Sequence, residues 1–95
     1  MSPAKGVEFS PASLRDLRKI HAPDAKKVAD NIGLLLTHQN PLLSPHVRKL
    51  RGTGIHYRLR SGDYRVVFKY AEEIIRILRI YSRKDMNKTL SALWS

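Results

Sequence analysis

The chain is predicted to fold as one α+β domain with elements in the order β-α-α-β-β-β-α, an antiparallel sheet carrying a helical hairpin on one face. Three observations predict it. Two early segments repeat their apolar residues at helical spacing; the segment 56–69 alternates at a spacing of two; and a Ser-Gly-Asp turn sits in the middle of that alternation.

The segment 6–9 is a short strand with Val7 and Phe9 on one side. Ser10-Pro11 then starts a helix. Serine suits the N-cap, and proline at the first helical position loses only an N–H that would be unpaired anyway. This helix runs to about Ile20 and places Leu14, Leu17 and Ile20 on one stripe. Pro23 breaks it, because the residue before a proline leaves helical space. A second helix follows to about Thr37, with Ala25, Val28, Ala29, Ile32, Leu35 and Leu36 in register. Gly33 weakens that helix by roughly 1 kcal/mol relative to alanine, which implies close packing at that point. The stretch 38–45 is a loop by its Asn-Pro and Ser-Pro steps, and 47–52 is a short extended or edge segment.

The hairpin 56–69 organises the rest. With Gly62-Asp63 as a two-residue turn, Arg60 opposes Arg65, Leu59 Val66, Arg58 Val67, Tyr57 Phe68 and His56 Lys69. Residues directly opposite share a face. One face therefore carries Tyr57, Leu59, Val66 and Phe68, and the other Arg58, Arg60, Arg65, Lys69 and His56. A three-residue turn at 71–73 leads into a strand over 74–81 and places Ile75, Ile77, Arg79 and Tyr81 on the arginine face. The tail from Ser82 forms a short helix with Leu90, Leu93 and Trp94 at helical spacing.

Like charges set opposite each other weaken a sheet by about 0.2–1 kcal/mol per pair. A solvated outer face is the plain reading of such positions. This face is rich in arginine and has no acidic residue inside the hairpin strands, which favours a site for a polyanion. Composition agrees: 95 residues, a net charge of +10 and an isoelectric point of about 10.4 point to nucleic acid or an acidic protein. Residues 1–45 hold six Lys or Arg against four Asp or Glu, giving +2, whereas residues 46–95 hold twelve against four, giving +8. The second half carries the chemistry.

No cysteine is present, so disulfides and thiolate metal sites are excluded, and a reducing, cytoplasmic setting is expected. No apolar run predicts a signal peptide or membrane span. Walker, Rossmann, nucleophile-triad and zinc patterns are lacking, so neither a metal nor a small-molecule cofactor is expected. His21, His38 and His46 fall in turns without mutual metal spacing and read as surface residues. Asp63 reads as a turn residue. His56, whose unperturbed pKa lies near ~6.5, is the best titratable accessory on the arginine face.

The segments KLRG (49–52), YRLRSGDYRVVF (57–68) and IYSRKD (80–85) resemble the RelE/ParE superfamily of toxin–antitoxin toxins, over nearly the whole chain. The pattern R-x-R-x-G-D-Y-R, followed about eighteen residues later by Arg83, is similar to RelE-type members. The resemblance implies a single toxin domain over 1–95 with microbial-ribonuclease-type architecture. It implies a metal-independent, ribosome-dependent endonuclease that cleaves mRNA and is held inactive by an acidic antitoxin. That antitoxin is expected to be partly disordered alone, and to cover the arginine face or displace the terminal helix.

Carried over by the resemblance, Arg65 and Arg83 fall on the catalytic arginines, Arg58 on a catalytic lysine, and Arg51 and Arg60 on RNA-gripping positions. Lys49, Lys69, Arg79 and Lys84 complete the expected RNA-binding set. A tyrosine usual beyond the last arginine is replaced here by Asn87-Lys88-Thr89, leaving Tyr81 as an accessory candidate. Two alternatives stay open: a ParE-like inhibitor of DNA gyrase with the same fold, and a catalytically weakened basic RNA-binding module.

Overall fold

The computed structural model describes residues 4–50 and 56–85. Five strands form one sheet in the order β1-β5-β4-β3-β2, with β1 Gly6–Phe9, β2 Val47–Lys49, β3 His56–Ser61, β4 Tyr64–Ala71 and β5 Ile74–Ser82. Two helices, α1 Pro11–Lys19 and α2 Ala22–Leu34, lie between β1 and β2. Residues 83–85 are helical, and the expected remainder of that terminal helix, with Leu90, Leu93 and Trp94, lies outside the described residues.

The hairpin register matches the expected one pair for pair, from His56 opposite Lys69 to Arg60 opposite Arg65. Gly62 takes a φ of 58°, the left-handed conformation that side chains resist by about 1–2 kcal/mol.

The sheet differs from expectation in three respects. It is mixed rather than antiparallel, because β1 runs parallel to β5. The segment 47–49 is a true edge strand paired with β3, so four strands follow the helices rather than three. The connection into β5 is a two-residue turn, Glu72-Glu73, with both φ angles positive. That shorter turn puts Ile75 opposite Tyr70 and Ile77 opposite Phe68, on the core side rather than the arginine face. A β-bulge at Leu78 then restores parity, and Arg79 and Tyr81 do face the arginine side, opposite Val67 and Arg65.

The main core lies between the sheet and α2. Val28, Ile32 and Leu35 pack on Leu59, Val66, Phe68, Ile75, Ile77 and Ile80. The second helix stops at Leu34, and the chain tightens into 3-10 turns at Leu35–Thr37 and Pro41–Leu43. Several expected core positions are instead exposed: Leu14, Ala29 and Leu36. Gly33 is exposed too, and a methyl group added there would meet nothing within 4 Å. Its predicted close packing is absent.

The first helix is tied to β5. The Ser10 side chain accepts a hydrogen bond from the Ser13 N–H, as expected of an N-cap, and donates to the Leu78 carbonyl at the bulge at 2.7 Å. Beyond the end of β1, Asp16 serves the β5 edge. Its carboxylate accepts from Arg79 at 2.8 and 3.1 Å and from the Ile80 N–H at 2.9 Å.

Two stability measurements follow. Asp16→Ala removes a bidentate charged pair and strands an edge N–H, so urea unfolding should show a loss of about 2–3 kcal/mol. Gly33→Ala gains helix propensity without a clash and should raise stability by up to about 1 kcal/mol in the same assay.

Candidate nucleic-acid interface

The hairpin tip assembles the site. Arg65 is the second residue of β4 and folds its guanidinium back over the turn, where Nη1 donates to the Gly62 carbonyl at 2.8 Å and the Tyr64 carbonyl at 2.9 Å. Nε and Nη2 remain available for an anion. The Arg83 backbone N–H donates to the Asp63 carbonyl at 2.7 Å, so the end of β5 is pinned to the same turn. Arg58 and Arg60 stand on the neighbouring strand. Burial lowers the Arg65 pKa, and the positive charges of Arg58, Arg60 and Arg83 lower it further, with Asp63 opposing them. A guanidinium in such a field stays protonated at any physiological pH. It is nevertheless unfavourable for four like charges to gather, and a bound anion relieves that repulsion.

The other expected residues divide. Arg60 lies beside His46, just before β2, with Nη2 3.4 Å from Nδ1. Lys84 is exposed beside Arg83. Arg79 lies on the arginine side, but its guanidinium is held by Asp16 and stacks 4.9 Å from the Tyr81 ring centre. It is thus a structural clip rather than a ready phosphate ligand. Lys49 pairs with Tyr57 and so shares the helix-covered side of the sheet, away from the arginines. Lys69 and His56 face each other at the far end of the hairpin, two side-chain rows or about 14 Å from Arg65. Arg51 lies outside the described residues.

Tyr81 is buried with Leu50 and Val67 in a small second core on the arginine side. Its hydroxyl is buried and makes no hydrogen bond among the described residues. A proton-transfer group needs access to the reacting atoms, and this position serves packing instead. Burial raises the Tyr81 pKa against the opposing pull of Arg79, and Asp16 adds a smaller upward push.

Two cations on this side were absent from the sequence reading. Arg48 on β2 is exposed and directly opposite Arg58. Arg76 on β5 is exposed and opposite Lys69, with Glu8 as its other neighbour. Alternation within 47–49 against β3 was the available signal for Arg48. The longer turn assumed before β5 had placed Arg76 on the wrong side. Among the described residues, no group of three or more His, Asp or Glu side chains is arranged to hold a metal, and no helix is long and apolar enough to cross a membrane.

Comparison with known proteins assigns this helix-covered five-stranded sheet to the type II toxins of the RelE/ParE superfamily. The chain belongs to the ParE toxin family of type II toxin–antitoxin systems (parDE), whose model matches residues 7–87. Among solved structures it is similar to a chain of the RelB–RelE antitoxin–toxin complex from Methanococcus jannaschii, with a TM-score of 0.72 at 21% identity over 86% of this chain and 96% of that one. The RelBE2 complex from Mycobacterium tuberculosis gives 0.71 at 26% identity over 87% and 94%. A free E. coli RelE mutant gives 0.71 at 21% identity over 95% of both chains. No curated protein matches by sequence.

The Tyr81 environment carries a pH test. Folding favours the neutral phenol, so stability is level below the ordinary tyrosine range, near pH ~10. It falls as pH rises through that range, until the raised folded-state pKa is passed. Urea unfolding across this interval should show a shallower alkaline decline for Tyr81→Phe than for the parent. At neutral pH the variant should be as stable or slightly more so, because an unpaired buried hydroxyl is removed.

Proposed function

We propose that this toxin is a metal-independent endoribonuclease that cleaves mRNA bound to the ribosome. The observation that supports it most is the meeting of Arg65 and Arg83 at the hairpin turn, where the Arg65 guanidinium donates to the Gly62 and Tyr64 carbonyls and the Arg83 N–H to the Asp63 carbonyl, with Arg58 and Arg60 on the adjoining strand. Such a cluster matches a phosphate whose charge grows during reaction.

In the proposed reaction the 2′-oxygen of the RNA attacks the adjacent phosphorus in line. A 2′-O–P bond forms, the P–5′-O bond breaks, and a 2′,3′-cyclic phosphate and a free 5′-hydroxyl result. Arg65 and Arg83 clamp the non-bridging oxygens, since guanidinium forks suit phosphate bidentately. One preorganised donor of this kind contributes about 3–4 kcal/mol of transition-state stabilisation. Arg58 stabilises the departing 5′-oxygen or orients the nucleophile, and Arg60 with Lys84 grips flanking phosphates. Proton transfer is the weak part, because arginine is a poor general base and Tyr81 is buried. The proton leaves the 2′-hydroxyl to solvent or to a ribosomal group, and the departing 5′-oxygen takes up a proton from solvent. On this reading the ribosome supplies substrate geometry, a contribution that is large wherever orientation limits the rate.

The partners proposed are the ribosome with its message and an acidic antitoxin, all in the cytoplasm. The +10 charge and the solved toxin–antitoxin complexes of similar fold support the antitoxin. A second reading, inhibition of DNA gyrase, is favoured by the ParE family match itself. The arginine cluster weighs against it, since a protein-blocking toxin has no need of a phosphate clamp.

Induction in growing cells separates the readings. Message ends mapped by primer extension should show codon-phased cuts, and Arg65→Ala or Arg83→Ala should remove both the cuts and the growth arrest. Gyrase inhibition would give intact message with a DNA-damage response. Variants as toxic as the parent would overturn the site assignment.

A further inference from the structure

Three like-charged cross-strand pairs stand on the arginine side: Arg60 with Arg65, Arg48 with Arg58, and Lys69 with Arg76. They are not equivalent. Lys69 and Arg76 line a cavity of about 200 Å³ together with Glu8 and Glu72, so carboxylates offset their charge. No ion pair among the described residues engages any of the six cations, so the difference lies in their neighbours. The cross-strand neighbours of Arg58 are Arg48 and Val67, neither of them acidic, and the Arg48/Arg58 pair adjoins the Arg60/Arg65 pair one row along the strands.

We infer that Arg48 and Arg58 extend the arginine cluster into a strip for single-stranded RNA, running from the hairpin tip obliquely to the β2 edge, with Arg48 holding the phosphate next to the scissile one. The inference rests on the RNA-binding reading above. Successive rows on one sheet face are spaced by roughly 7 Å along the strands. That pitch resembles the separation of neighbouring phosphates in an extended single strand. The path steps sideways by one strand, about 4.8 Å, from the β3–β4 pair to the β2–β3 pair. Arg48 is exposed on an edge strand only three residues long, whose outer side pairs with no other strand among the described residues. A guanidinium placed opposite another, with no carboxylate nearby, lowers fold stability unless an anion occupies the pair. Arg48 is a positioning residue in this scheme, one phosphate removed from the reacting bond.

The test compares two substitutions of equal charge. Fluorescence anisotropy measures binding of the full chain to single-stranded oligonucleotides carrying a 2′-O-methyl block, as a function of salt. Arg48→Ala should lower the log–log salt slope by about 0.7, the value for one phosphate contact on a single strand, and Arg48→Lys should restore most of it. The gain in affinity from dinucleotide to tetranucleotide should shrink in Arg48→Ala. Arg76→Ala, which removes the same charge, should bind as the parent does. The unfolding midpoint of Arg48→Ala should be unchanged or higher, which a structural role for Arg48 would not give. Binding that needs Arg65 but is equally indifferent to Arg48→Ala and Arg76→Ala overturns this inference alone. An unsubstituted chain that binds no RNA overturns the RNA reading with it.

Discussion

The reversal at Gly62-Asp63 is the constraint on which the site depends. A positive φ at Gly62 lets β3 and β4 meet in one register and leaves the carbonyls around the turn facing outward. Those carbonyls then gather chain segments that are far apart in sequence. Two of them hold the Arg65 guanidinium, and a third receives the backbone of Arg83 at the end of β5. The Asn31 amide on α2 donates to the buried Ser61 hydroxyl at 2.7 Å, so the same tip is anchored to the helical layer behind it. Arg65 and Arg83 meet because one tight turn receives both, with Arg58 and Arg60 on the strand that leads into it.

Around that tip, the two faces of the sheet do different work. The core side is closed by aliphatic packing against α2, and the Tyr57 and Phe68 rings stack at 5.7 Å. Among the described residues the other side carries the small Leu50, Val67 and Tyr81 cluster, with cations around it. This division lets the second face hold repelling charges. The stability lost there is small beside what the main core supplies, where fully burying each large aliphatic or aromatic side chain contributes about 1.5–3 kcal/mol. Asp16 bridges the two sides at the β5 edge, since it satisfies the Ile80 N–H where β1 has ended and holds Arg79 flat against the sheet.

The hairpin was legible because alternation and a Gly-containing turn agree, and each alone determines the same pairing. The turn into β5 was not. Glu72-Glu73 carries none of the Asn-Gly or Gly-rich chemistry that marks a two-residue turn, although both glutamates adopt positive φ. The bulge at Leu78 has no local mark either, so the parity change that separates Ile77 from Arg79 is invisible in the pattern. Arg79 read as a free cation because its partner, Asp16, lies 63 residues earlier. Residues 47–52 read as an extended or edge segment, but nothing local marks β3 as its partner, so Arg48 had no assigned face until the pairing with Arg58 was seen. Gly33 shows the limit of propensity arguments: a weak helix former need not mark a contact.

The like-charged pairs across β2, β3 and β4 also bear on the stability of the bare fold. Any anion that binds the folded form and not the unfolded one stabilises it by mass action, so occupation of this face and resistance to unfolding rise together, and the ionic composition of the medium becomes part of what holds the sheet.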